Sequence, residues 1–181
     1  MSSPKEFSRS QRLSFLVERC TRTFSSQSGL SLEGELRGML CLLKDIMGAS
    51  RAGFTTALHN VESQLTVACV QESEPDDFET SLERLDFRVL SSANSRLADV
   101  FEFDQPLADG EHCSWRNLVN GRGMVLPLAQ QGQVNAALVL AFEQPLQRLM
   151  NCERSCLVSL GHLAMLFTEV QQHRQTAQPT A

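Results

Sequence analysis

An α+β fold built around antiparallel strand pairs is predicted by three observations. Gly123 to Phe142 (GMVLPLAQQGQVNAALVLAF) holds two apolar runs split by a polar, glycine-bearing break, Gln130 to Gln133. That is the pattern of two antiparallel strands joined by a short hairpin. Arg51 to Leu58 (RAGFTTAL) and Gln64 to Gln71 (QLTVACVQ) form a second, shorter pair, rich in β-branched and aromatic residues. Apolar residues at helical spacing flank these pairs on both sides. In the last run, Val134, Ala136, Leu138, Leu140 and Phe142 alternate with Ala137, Val139 and Ala141. A strand apolar on both sides belongs in the middle of a covered sheet. Pro127 has no N–H, so its strand must bulge or lie beside an unpaired position there.

Length and composition bound the rest. At 181 residues, with 42% hydrophobic and 20% charged residues, the chain reads as one soluble domain with helical extensions. A net charge of −5 argues against a nucleic-acid surface on this chain. The longest apolar runs fall far short of a membrane span, and MSSPKEFSRSQR lacks the apolar core of a signal peptide. The expectation is a cytoplasmic protein without a membrane partner, its six cysteines read as reduced thiols.

Taken in order, Ser8 to Ser26 is a helix with Leu13, Leu16, Cys20 and Phe24 in register. Ser31 caps a second helix with the stripe Leu32, Leu36, Met39, Leu40, Leu43 and Ile46 or Met47, ended by Gly48. Gly34 and Gly38 weaken it by about 1 kcal/mol each relative to alanine, so their spacing predicts something packed close to the backbone. The two shorter strands follow, with Ala52, Phe54, Thr56 and Leu58 on one face and Leu65, Val67 and Cys69 on one face of the next. An acidic loop leads into a helix over Phe78 to Leu90; Arg96 to Phe103 is a short edge strand, and His112 to Val119 holds a helical turn or two. A last helix runs from Cys152 to His173 with Leu157, Leu160, Leu163 or Ala164, Phe167 and Val170 in register. These elements divide the chain into an N-terminal helical segment (1–29), a main domain (30–173) and a small, polar tail (174–181) expected to be disordered.

At this order of elements the chain resembles the GAF domains, small-molecule-binding sensory modules related to PAS domains. The resemblance is carried by LLKDIMGASRAGFTTA, VLSSANSRLADV, GRGMVLPLAQQGQVNAALVLAF and ERSCLVSLGHLAMLFTEVQ, and covers Leu30 to Gln172. It implies a GAF-like antiparallel sheet of five to six strands. The N- and C-terminal helices would pack on one face, and a helical insert would roof a ligand cavity on the other. The N-K-x-n-F-x-x-x-D-E signature of cyclic-nucleotide-binding members is absent. His112–Cys113 stands near the bilin-attachment region of phytochrome-like members, but the chain has no tyrosine and the flanking EHCSWRNLVNGRG departs from their pattern. The glycine-rich, three-cysteine pocket of the free methionine sulfoxide reductases lacks its GHIACD-type segment here, with Cys69 and Cys113 left as cavity candidates.

Candidate chemical groups are few. Cys152 and Cys156 lie four apart on one helix face, a spacing that suits a metal or an oxidant sensor, but no second ligand pair accompanies them. They read better as core or interface residues. His112 and Cys113 point about 100° apart on a helix and do not form a catalytic pair. His162 reads as a surface or interface residue, and no nucleophile elbow or calcium loop is present. The reading is therefore a regulatory domain that is not an enzyme and carries no cofactor. Its expected ligand is small and apolar or aromatic, with Phe54, Thr56, Val67 and Cys69 as floor candidates whose facing alternation leaves open, Leu85, Val89, Trp115, Met124 and Val139 as walls or lid, and Arg96 as the anion anchor. Phe15 and Val17 on the first helix, and Val158 and Met165 on the last, lie off the main stripes and predict a parallel homodimer through these helices. The expected setting is the N-terminal part of a transcriptional or second-messenger regulator. The alternatives are a ligand-free dimerisation or protein-interaction module and, behind it, a thiol redox enzyme of the free methionine sulfoxide reductase type.

Overall fold

The computed structural model describes residues 7–25, 31–57, 64–70, 77–85, 87, 100–104, 119, 122–130 and 132–177. Helices α1 (Arg9–Ser25) and α2 (Leu32–Met47) precede strands β1 (Arg51–Ala57) and β2 (Gln64–Cys69). A short helix α3 (Phe78–Glu83) and strand β3 (Phe101–Asp104) follow, then β4 (Arg122–Gln130), β5 (Gln133–Ala141) and a 27-residue helix α4 (Asn151–Ala177). The helix expected over 78–90 ends early, at Glu83. The last helix continues past His173 to Ala177, into the segment expected to be disordered.

Local chemistry sets the boundaries. Ser31 Oγ accepts the Gly34 N–H at 3.1 Å, which satisfies an otherwise orphan donor of the first turn of α2. Gly48 closes the helix at φ 68°, a left-handed conformation that costs glycine nothing. In the hairpin, Gly132 adopts φ 81° between β4 and β5.

The sheet has the strand order β2-β1-β5-β4-β3 with antiparallel pairing throughout. The last apolar run, β5, is its central strand, as its two apolar faces required. Pro127 lies beyond the stretch of β4 that β3 reaches, which ends at Val125, so its missing N–H interrupts no described ladder. The irregularity falls one residue on. The register shifts between Leu128 and Ala129, which pair with Ala136 and Val134 and leave Asn135 as the extra residue of a bulge. The bulge turns Val134 to the opposite face from Ala136 and Leu138, where simple alternation had kept them together.

Helices α1, α2 and α4 cover one face; their buried stripes meet Phe54, Val67, Leu126, Leu128, Leu138 and Leu140. On the other face α3 packs over β1 and β2. Helices α1 and α4 run side by side in the same direction. Near their starts Arg9 forms a two-pronged ion pair with buried Glu153, Nε to Oε1 and Nη2 to Oε2 both at 2.7 Å. Near their other ends Phe24 stacks on Phe167 with centroids 4.2 Å apart. Gly38 does not mark a close approach as its spacing suggested: among the described residues, nothing beyond its own stretch of helix lies within 4 Å of where its Cβ would be.

Candidate functional site

The two faces of the sheet differ in side-chain size. Toward the three long helices stand large residues, as above. Toward α3 stand Gly53, Thr55, Ala68, Ala137 and Ala141, with Val125, Val134 and Val139 the larger members. Phe78 and Leu82 of α3, followed by Leu85 and by Val119 near the start of β4, rise over this floor. At Gly53 the helix sits directly on the strand, since an added Cβ would collide with Leu82 Cδ1 and lie 3.0 Å from Phe78 Cε1.

The floor carries a buried polar network along the β1–β2 edge. Thr55, with no exposed surface, donates to Gln64 Oε1 at 3.3 Å and shares a hydrogen bond with Thr66 Oγ1 at 3.1 Å. Gln64 Nε2 in turn donates to the Leu85 carbonyl at 3.3 Å, which ties the chain beyond α3 to the edge strand. Where the sheet ends, a cavity of about 300 Å³ opens among Ser50, Arg51, Val119, Arg122, Ala141, Phe142 and Glu143. Val119 and Ala141 join it to the small-residue face, and Arg122 Nη1 donates to the Glu143 carbonyl at 3.0 Å on its rim. Small apolar side chains beside a few hydroxyls and amides suit binding of a compact, mostly apolar molecule with one or two polar groups.

The structure divides the lining expected from the sequence. Leu85 and Val139 lie on the small-residue face. Phe54, Val67, Cys69 and Met124 lie on the opposite face, in the core under the long helices, and Thr56 shares their side. The physical reason is volume: three packed helices need large side chains beneath them, so the large-residue phase of each strand turns toward α1, α2 and α4. Val89, Arg96 and Trp115 lie outside the described residues, as do His112 and Cys113. Thr55, Thr66, Gln64 and Ala137 were missed. Their signal was the smaller, more polar phase of the same strands.

The cysteines also depart from expectation. Cys41 and Cys69 form a disulfide between α2 and β2, with Cα atoms 5.5 Å apart, where reduced thiols were expected. Cys20 is buried, and burial pushes its thiol up to about 11, an unreactive value near neutral pH. Cys152 Sγ donates to Ser10 Oγ at 3.6 Å, and Cys156 lies 3.8 Å from Ser14 Oγ, so both thiols sit along the α1–α4 seam. Among the described residues no group of three or more His, Cys, Asp or Glu is placed to hold a metal. Replacing Cys152 and Cys156 together with alanine is expected to lower stability by about 1 kcal/mol or less. Metal analysis should find no zinc or iron in either protein; stoichiometric metal lost in the double variant would refute the structural role.

The off-stripe residues behind the dimer expectation also sort differently. Met165 is buried, and Val17 and Val158 pack against the helix-side core; Phe15 alone of the four is exposed, at 53%. Leu166 and Val170, one turn apart on α4, are the exposed apolar pair, at 53% and 46%. Val170 thus leaves the stripe assigned to it.

The fold is that of GAF domains. The GAF domain of a phosphoenolpyruvate-protein phosphotransferase from Coxiella burnetii is similar at a TM-score of 0.59 and 15% identity, over 93% of this chain and 99% of that one. A putative GAF sensor protein from Burkholderia vietnamiensis is similar at 0.57 and 12% identity, over 97% and 99%. The free methionine-R-sulfoxide reductase of Neisseria meningitidis, solved with its substrate, is similar at 0.56 and 16%, over 98% and 96%. No protein-family model and no curated protein sequence matches the chain. Among the described residues no helix is long and apolar enough to cross a membrane.

Proposed function

We propose that this chain is a GAF-type sensory domain that binds a small apolar or aromatic molecule on the α3 side of its sheet. The observation that carries this reading is the asymmetry of the two faces: large residues serve the helical core, and small residues with a threonine–glutamine network face the insert. Binding would favour one of two arrangements of the flanking elements. The signal would leave through α1 and α4, clamped together by Arg9–Glu153 and Phe24–Phe167. The arginines at the mouth, Arg51 and Arg122, suit a ligand with a carboxylate. The domain works as a homodimer through its terminal helices, with Phe15, Leu166 and Val170 as its exposed apolar contacts. It acts in the cytoplasm as the N-terminal part of a transcriptional or second-messenger regulator.

A second reading has a specific support. Leu82 and Phe78 already occupy the floor at Gly53, which favours a filled face and a domain serving only protein contact. A thiol enzyme like the Neisseria reductase draws less support, because Cys69 faces the helical core and is bonded to Cys41.

The test is the fluorescence of Trp115, the sole tryptophan, during titration with aromatic acids, fatty acids and cyclic nucleotides. Saturable quenching or enhancement by an aromatic acid or fatty acid is expected. Tight binding of a cyclic nucleotide would refute the apolar reading, and silence across the panel would favour the contact module.

A further inference from the structure

We propose that the Cys41–Cys69 bond is a reversible redox lock between α2 and the edge strand β2. Among the described residues the strand pairs with the sheet on one side only, with β1. Besides the apolar packing of Leu65 and Val67, two links tie it to α2: this bond and the hydrogen bond from Arg37 Nη1 to the Ala68 carbonyl at 2.9 Å. Alternation couples the lock to the opposite face: Val67 and Cys69 turn toward α2, while Thr66 and Ala68 turn toward α3, where Thr66 joins the Thr55–Gln64 network. Releasing Cys69 therefore loosens the strand that supports the small-residue face and removes its covalent link to α2, which packs on α1.

The bond's position suits exchange. Cys41 is half-buried on α2, so its sulfur is the end open to attack, whereas Cys69 is only 7% exposed. The lock rests on the cytoplasmic setting proposed above, since disulfides in a reducing compartment are usually transient and catalytic or redox-sensing. The other described cysteines offer no rival bond: Cys20, Cys152 and Cys156 are free.

Closure uses a low-molecular-weight disulfide, RSSR, as oxidant. The Cys41 thiolate attacks one sulfur and releases RSH, leaving a mixed disulfide. The Cys69 thiolate then attacks the Cys41 sulfur and releases the second RSH. The two protein thiol protons end on the two RSH molecules, and the two electrons lost by the protein reduce RSSR. Opening is the same sequence run by excess thiol.

The full chain, equilibrated with oxidised glutathione or with dithiothreitol, is to be compared by peptide mapping, hydrogen exchange and thermal melting. The expected results are a Cys41–Cys69 cross-linked peptide only under oxidation, and amide exchange across β2 at least about tenfold faster after reduction. The melting midpoint should fall by about 10 °C on reduction, since the bond closes a loop of 28 residues. Cys41→Ser should behave as reduced protein in both buffers; should Cys69→Ala fail to fold, this half-buried variant carries the test alone. Free alkylation of both thiols after glutathione treatment, a different cross-link, or equal β2 exchange in both states would overturn the lock.

Discussion

Leu138→Asp leaves no folded domain. Leu138 is the midpoint of the central strand, paired with Phe54 on one side and Leu126 on the other, and is 2% exposed beneath the long helices. The side chains packed around it on that face are apolar. A carboxylate there must either stay charged in an apolar core or take up a proton, and both cost several kcal/mol. The hydrophobic contribution of leucine is lost as well. Together these approach the whole stability of a typical domain, about 5–15 kcal/mol. Leu138→Ala separates charge from volume: it should cost about 2–5 kcal/mol and still melt cooperatively at a lower midpoint. A soluble, cooperatively melting Leu138→Asp protein would contradict the placement of β5 at the centre.

The next largest effect is expected at Glu153. Its side chain accepts from Arg9 Nε and Nη2, from Ser10 Oγ at 3.3 Å and from the Met150 N–H at 2.9 Å. It is wholly buried. Removing one partner of such a pair strands the other, at a cost of about 3–5 kcal/mol; Glu153→Ala should therefore lower the melting midpoint by about 10 °C. The hydrogen bonds from Arg9, more than its charge, hold the Glu153 carboxyl below the usual glutamate range. The sign follows from that direction. The folded protein holds its Glu153 proton less tightly than the unfolded chain, so the stabilisation is complete above the unfolded value of about 4.3. It is lost as pH falls through the lower, folded value. Glu153→Gln should be less stable than wild type at neutral pH and close to it in strong acid. A stability difference constant from pH 7 down to about pH 2 would show that the carboxylate's charge is not what matters.

These two sites illustrate what the sequence makes legible. The strand containing Leu138 announced itself by being apolar on both faces, which only a central, covered strand needs. The limits of α2 were equally legible, because Ser31 and Gly48 cap it by local chemistry alone. Glu153 gave no such signal: its partner Arg9 is 144 residues away, and nothing local distinguishes it from any acid in a helix's first turn. The facing of β1 and β2 lay between these cases. Alternation divides each strand into two sets, and only the volume demanded by three helices decides which set turns inward. Phe54 and Val67, floor candidates whose facing alternation left open, therefore lie under the long helices, while Thr55 and Thr66, one residue away from each, lie on the small-residue face. The bulge at Asn135 defeated alternation outright, since one extra residue reverses the facing of everything before it. The Cys41–Cys69 bond was invisible for a related reason, because pairing depends on how α2 lies across the sheet and not on spacing along the chain.

The exposed residues shift the basis of the proposed dimer away from the residues expected from the sequence. The supposed second stripe of α4 dissolved once Met165 and Val158 were seen to pack inward. The long helix touches both the sheet and α1, so two apolar directions are needed within one protomer. Leu166 and Val170 are left as the surface a second copy would cover.

Native mass spectrometry of the purified chain tests the proposed sensory role most directly, because it reads ligand and assembly together. The expected result is a dimer that retains, or takes up from a panel of aromatic and fatty acids, one small molecule per protomer. Bare monomers that take up nothing from that panel would contradict it.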